Sequence, residues 1–90
     1  MMAELMKFNR SPQLSSYALT VSTVTDTFNL PMSKEKIKAV YEEGILLTKD
    51  LNYIITNGSS DDTSIMKLKG YKSKLNETII VVYEGTLQYN

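Results

Sequence analysis

The chain is built from short segments in which hydrophobic and polar positions alternate. The first, residues 17–24, alternates along an extended backbone, with Tyr17, Leu19 and Val21 on one side and Ala18, Thr20 and Ser22 on the other. The next, residues 27–30, directs Phe28 and Leu30 to one side in the same way. Because this alternation occurs among β-branched and aromatic residues, it predicts half-buried strands whose apolar sides form a core.

Three later segments extend the same pattern. Residues 52–56 have the composition of a strand, and Asn57 and Gly58 follow with the residue types that supply positive φ angles in a turn. Residues 63–68 alternate again, and residues 78–83 form a continuous apolar run. An unbroken run of this length predicts a central strand buried on both faces.

The segment from Ser33 to Asn52 is ambiguous. Ser33 could cap a helix, and the apolar residues after it fall near helical spacing. However, Glu42-Glu43-Gly44 has the composition of a hairpin turn, and a glycine inside a helix costs about 1 kcal/mol relative to alanine. Local preference alone therefore leaves both a helix and a hairpin open.

Four short motifs follow one another between residues 26 and 85. They are F-x-L-P at 28–31, V-x-x-x-G-x-x-L at 40–47, D-x-x-Y-x-I at 50–55, and a hydrophobic strand ending at Tyr83. This order resembles the small β-sandwich module of bacteriophage tail-fibre and other virion structural proteins. The resemblance implies that residues 37–47 form a hairpin.

These patterns together predict an all-β fold, namely a small antiparallel β-sandwich or open barrel of about seven short strands. We expect residues 1–16 to form an extended N-terminal arm and residues 17–90 to form a single domain. A chain of 90 residues buries a limited fraction of its surface, so its core is thin and partners would stabilise it. Within the arm, Leu5, Met6 and Phe8 are apolar and could dock on a neighbouring subunit.

The composition of the chain excludes most kinds of catalytic and metal-binding site. The chain contains no cysteine and no histidine, which excludes disulfides, thiolate or imidazole metal ligands and histidine proton shuttles. Glu42 and Glu43 could form half of a carboxylate pair for glycoside hydrolysis, but the chain has no tryptophan to line a sugar groove. Asp61 and Asp62 lack the spacing of a calcium loop. We therefore predict no enzyme activity, no cofactor and no metal.

Charge and hydropathy argue against nucleic-acid and membrane partners. Ten basic residues balance ten acidic ones, and the lysines at 67, 69, 72 and 74 form only a local cluster that a solvated strand edge explains. The chain shows neither a secretory signal nor an apolar run long enough to span a bilayer. We expect synthesis in the host cytoplasm.

Six tyrosines are the natural starting point for a binding hypothesis, because tyrosine combines a large contact area with a polar tip. Tyr41, Tyr53 and Tyr83 occupy hydrophobic positions of the resembled motifs and are expected in the core. The other tyrosines and the apolar residues of the arm are the predicted partner-binding residues: Leu5, Met6, Phe8, Tyr17, Tyr71 and Tyr89.

The resemblance implies a virion structural accessory protein: a capsid decoration, head fibre or tail component that attaches non-covalently to phage capsid or tail proteins as a homo-oligomer. Edge strands at residues 16–24 or 86–90 would supply the contact. An alternative is a soluble module that recognises a surface glycan or host protein through the loop at residues 57–62. A third hypothesis places a helix at residues 33–52, as in a small regulatory protein.

Overall fold

A computed structural model describes residues 13–85 and shows an all-β fold, as the sequence predicts. Within these residues, seven strands form two antiparallel sheets that face each other as a sandwich, without closing into a barrel. The strands are β1 Leu14–Thr20, β2 Thr27–Leu30, β3 Ile37–Glu42, β4 Ile45–Leu46, β5 Tyr53–Asn57, β6 Ser64–Leu68 and β7 Thr78–Glu84.

The strand order places the core between the two sheets. One sheet has the order β1-β7-β3-β4, and the other has the order β2-β6-β5. Side chains alternate between the two faces of each strand, so every second residue points into the space between the sheets. The buried apolar residues are Val21, Phe28, Leu30, Met32, Val40, Tyr53, Met66, Leu68, Ile79, Val81 and Tyr83. The predicted core positions of Tyr53 and Tyr83 are thereby confirmed.

The ambiguous segment is a hairpin preceded by one helical turn. Lys34–Lys36 is a short 3-10 helix, and β3 and β4 pair in antiparallel register immediately afterwards. Glu43 and Gly44 connect them with φ angles of 50° and 80°, and two positive angles are what a tight hairpin turn requires. The helix hypothesis for this segment is therefore wrong. No helix within residues 13–85 is long and apolar enough to cross a membrane.

The expectation that Tyr41 lies in the core is wrong. The pairing of β3 with β7 shifts between Ile37 and Ala39, where one extra residue forms a β-bulge. Beyond the bulge, Val40 turns into the core, and Tyr41 lies half-buried on the outer face of the four-stranded sheet. A bulge reverses the facing of every later residue in a strand, and simple alternation cannot anticipate it.

The expectation that β7 is buried on both faces is also wrong. The strand is central, between β1 and β3, and its residues Ile79 and Val81 are buried in the core. Ile80 and Val82 point to the opposite face, where they are only half-buried. Among the residues that the structure describes, no second layer packs on this outer face.

The connection between β5 and β6 needs a glycine for space and not for its φ angle. Neither Asn57 nor Gly58 has a positive φ, so the predicted role of this pair is wrong. A Cβ on Gly58 would instead lie 2.8 Å from the carbonyl carbon of Thr63 and 2.9 Å from the backbone nitrogen of Ser64. The loop closes tightly there, with the nitrogen of Gly58 donating to the carbonyl of Thr63 at 3.0 Å.

The first strand begins earlier than the sequence indicates. β1 starts at Leu14, three residues before the predicted domain boundary at Tyr17. The rest of the predicted arm, including Leu5, Met6 and Phe8, lies outside the described residues, as does the predicted tail edge at residues 86–90.

Candidate partner-binding surface

Two of the predicted partner-binding residues, Tyr17 and Tyr71, lie within the described chain, and they occupy separate places. Tyr17 is half-buried on the inner face of β1, where it lines the open side of the sandwich with Asn29 and Leu30 of β2. Tyr71 is in the connection between β6 and β7 and contacts the end of β3. The remaining four, Leu5, Met6, Phe8 and Tyr89, lie outside the described residues.

Tyr71 belongs to a small hydrogen-bonded cluster around Glu42. Its hydroxyl donates to Oε1 of Glu42 at 2.8 Å, and the hydroxyl of the buried Ser73 donates to Oε2 of the same carboxylate. Desolvation by burial, with help from the hydrogen bond and negative charge of Glu42, raises the pKa of Tyr71 to about 12. The cluster ties the β6–β7 connection to β3, so the structure gives Tyr71 an internal partner.

The outer edge of β1 is the longest unpaired backbone in the described chain. β1 pairs along its whole length with β7, from Leu14 opposite Glu84 to Thr20 opposite Thr78, and no strand of residues 13–85 lies on its other side. Just beyond its ends, the carbonyl of Gln13 accepts from the nitrogen of Gly85, and the nitrogen of Val21 donates to the carbonyl of Glu77 at 2.8 Å.

These two end contacts determine which backbone groups point outward. In an antiparallel pair, residues that bond to the neighbouring strand alternate with residues that do not. Since Gln13 and Val21 bond toward β7, the odd-numbered residues between them do so too. The N–H and C=O groups of the even-numbered residues therefore point away from the sheet: Leu14, Ser16, Ala18 and Thr20.

The β1 edge lacks the features that usually prevent strand addition. Edge strands in soluble monomers are commonly interrupted by proline, lysine or a bulge, or are very short. Residues Leu14–Thr20 contain no charge and no proline, and their register with β7 has no shift. By contrast, β4 at the opposite edge has two residues, and β2 ends directly before Pro31.

The outer face of the same sheet adds apolar area next to this edge. Ala18, Tyr41, Ile80 and Val82 share that face, and Leu46, opposite Tyr41, is 58% exposed. Its charged side chains include Glu84, whose carboxylate lies 3.7 Å from the Nζ atom of Lys38. The sheet thus presents a hydrogen-bonding edge and a largely apolar face side by side.

Glu42 and Glu43, the carboxylates considered for catalysis, accept hydrogen bonds from other parts of the fold. Besides the bonds to Glu42, the carboxylate of Glu43 accepts a hydrogen bond from the nitrogen of Thr78, and the nitrogen of Glu43 donates to the carbonyl of Thr78 at 2.9 Å. These contacts attach the β3–β4 turn to the start of β7. No group of three or more acidic side chains within residues 13–85 is arranged to hold a metal ion.

Two polar grooves lie elsewhere on the described surface. Glu35 and the loop at residues 57–61 enclose one of about 340 Å³, at the loop that the alternative hypothesis singles out. The other, of about 560 Å³, lies between β3 and β5 and brings together three lysines and two acidic residues: Lys34, Lys38, Lys49, Glu35 and Asp50. The lysine cluster noted in the sequence does not form this groove; the Nζ atom of Lys69 instead donates to the carbonyl of Asp50 at 2.8 Å.

Comparisons with protein-family models, with curated proteins and with solved structures gave no match for this chain. The candidate surface therefore rests on geometry. The edge that the sequence predicts at residues 16–24 includes most of β1, whereas the groove with Lys34, Lys38 and Lys49 was not predicted. That groove combines residues from three separate segments, which no local pattern indicates.

Proposed function

We propose that this protein is a structural accessory subunit of a bacteriophage virion, a capsid decoration, head fibre or tail component that attaches to other virion subunits without covalent bonds. The observation that carries the proposal is the uncharged, uninterrupted edge of β1 on a small β-sandwich. The order of motifs between residues 26 and 85, which resembles virion modules, supports the assignment to a phage particle.

Attachment by strand addition follows from the geometry of the edge. A neighbouring strand laid along β1 would satisfy the outward N–H and C=O groups of four residues, and such main-chain bonds supply affinity in strand-addition complexes. The adjacent apolar face, with Ile80 and Val82, would add buried area. On a symmetric particle, copies that are joined to one another attach more stably than single copies, because the first one bound raises the effective concentration of the copy joined to it.

The test is whether the chain travels with particles. Phage particles from cells that carry the gene would be purified on a density gradient and probed with an antibody against the chain. We expect it to sediment with the particles at a constant ratio to the major capsid or tail protein. Recovery of the chain only in the unsedimented fraction would contradict the proposal.

A deletion tests the predicted contribution of the N-terminal arm. Because β1 begins at Leu14, the deletion should end at Pro12 so that the strand stays intact. We expect weaker retention on particles and an unchanged circular dichroism spectrum. Full retention of the deletion variant on particles, at the concentration used for the wild type, would show that the arm does not contribute to attachment.

A second candidate function is a binding module for a surface glycan or host protein. It is favoured by the polar groove that Glu35 forms with the loop at residues 57–61, since carboxylate oxygens can accept hydrogen bonds from the hydroxyl groups of a glycan. Replacing Asp61 and Asp62 with alanine should then abolish capture on a glycan array or host-cell surface while leaving particle retention intact. Equal capture by the variant and the wild type would exclude this loop as a ligand site.

A further inference from the structure

We propose that two copies of this chain pair through their β1 strands, antiparallel and centred on Tyr17, to form a symmetric dimer. The inference deepens the proposed function, on which it rests, by naming a second copy as the partner of the β1 edge. In the dimer, the four-stranded sheets of both copies join into one continuous sheet of eight strands.

The register follows from which backbone groups point outward. Only even-numbered residues of β1 direct their N–H and C=O groups away from β7, so a second strand must pair even residues with even residues. Centring the two-fold axis on Tyr17 places Ser16 opposite the partner's Ala18 and Leu14 opposite the partner's Thr20. This register overlaps the whole strand, so it satisfies every outward group of β1 at once.

Side chains in this register are compatible with self-pairing. The two-fold axis pairs the strand with a copy of itself, so charges of one sign on β1 would lie close to the same charges of the partner; β1 has none. On the outer face, Ser16 and the partner's Ala18 are small enough to lie opposite each other. On the inner face, Tyr17 meets the partner's Tyr17 in the closer, non-hydrogen-bonded position, where aromatic pairs add stability.

Pairing would also cover the open side of each sandwich. Tyr17 lines a groove of about 540 Å³ between β1 and the other sheet, with apolar contributions from Leu30, Pro31 and Ile65. A second copy placed along β1 brings the partner's Tyr17 to the mouth of that groove. The edge and the groove are therefore covered by the same contact.

A single cysteine can trap the predicted register. Since the chain has no cysteine, Tyr17→Cys can form a disulfide only between molecules. Residues facing each other at a non-hydrogen-bonded position have Cα atoms about 4.5 Å apart, within the range that a disulfide spans. Ser15→Cys on the same face is the matched control, because its two copies would lie about 14 Å apart in this register.

The experiment is mild oxidation of both full-length variants, followed by non-reducing electrophoresis. We expect Tyr17→Cys to become mostly covalent dimer and Ser15→Cys to remain monomer. Equal cross-linking of both variants, or none in either, would overturn the proposed register.

A second measurement does not depend on cysteine. Sedimentation velocity of the full chain should show a concentration-dependent dimer. Ala18→Pro should raise the dissociation constant of that dimer at least tenfold. Proline at this position removes an outward N–H and leaves the bonds to β7 intact, so the monomer should keep its fold and its circular dichroism spectrum. A wild-type monomer at every concentration, or an unchanged constant in the folded variant, would contradict the dimer.

The same set of proteins distinguishes this inference from the proposed function. A chain that is monomeric but sediments with phage particles would refute self-pairing and retain the virion assignment. A chain that dimerises through β1 but is absent from particles would refute the virion assignment and retain self-pairing.

Discussion

The neighbouring residues Ile79 and Ile80 of β7 should respond very differently to truncation. Ile79 is 0% exposed and packs in the core, whereas Ile80 is half-buried on the outer face. Replacing a buried isoleucine with alanine removes about 2.4 kcal/mol of transfer free energy at about 0.8 kcal/mol per carbon, and the cavity left behind raises the total to about 3–4 kcal/mol.

The cost of Ile80→Ala should be much smaller. About half of the transfer term applies to a half-buried side chain, and no closed cavity forms, so we expect about 1 kcal/mol. The two variants should therefore differ by about 2 kcal/mol in the free energy of unfolding.

Urea unfolding followed by circular dichroism measures this difference, at protein concentrations low enough to keep the chain monomeric. The slope of the transition should stay the same in both variants, so the midpoints alone would report the change. Val81→Ala and Val82→Ala form a second pair that should repeat the alternation, because Val81 is buried and Val82 is half-buried. Equal costs within each pair would refute the placement of β7 between a packed face and an open one.

Other predictions concern the loops and titrating groups. Gly58→Ala should lower stability, measured by thermal unfolding, because its Cβ would clash with Oγ1 of Thr63 and would lie 2.8 and 2.9 Å from backbone atoms of Thr63 and Ser64. Ser64→Ala should cost about 1–3 kcal/mol in urea unfolding, since it leaves a buried backbone carbonyl without its 2.8 Å hydrogen bond. The pKa of Tyr71, raised from 10.0 to about 12, implies a stabilising contribution that is complete below pH 10 and is lost as the pH rises through about 12. Glu42→Gln should lower that pKa toward 10.0 in an ultraviolet titration, without reaching it, because burial is the larger cause.

Alternation alone predicted much of the fold, because a strand that covers a core on one side has an apolar residue at every second position. Residues 27–30 and 63–68 were placed correctly on this basis, with Phe28, Met66 and Leu68 in the core. The hairpin at Glu43 and Gly44 required the motif resemblance as well, since helical spacing competed with it.

The errors have physical causes that a single sequence hides. The residues of the bulge after Ile37 are common in regular strands, so their composition does not predict the bulge. It therefore does not predict that Tyr41 lies on the outer face. The apolar run around Ile80 indicates hydrophobic surface on both faces of β7, but it does not say whether this domain or a partner covers the second face. In the described chain no other segment packs on this second face. An apolar face left open in this way is what a partner-binding surface would present.

The candidate surface was predictable only in part. Tyr17 and the edge that contains it could be expected from the first alternating segment. Tyr71 was expected at an interface, but its hydroxyl is engaged by Glu42, a contact between residues far apart in the chain. The outward set of backbone groups on β1 depends on its pairing with β7, which only the fold reveals.

The most direct test of the account is residue-resolved amide hydrogen exchange of β1 at two protein concentrations. The amides of Ser15, Tyr17 and Leu19, which point toward β7, should exchange slowly in both samples. Those of Ser16 and Ala18 should exchange quickly in the dilute sample and slowly in the concentrated one, where a second strand covers them. Fast exchange at these outward positions at both concentrations would contradict the claim that β1 pairs with a second copy of the chain.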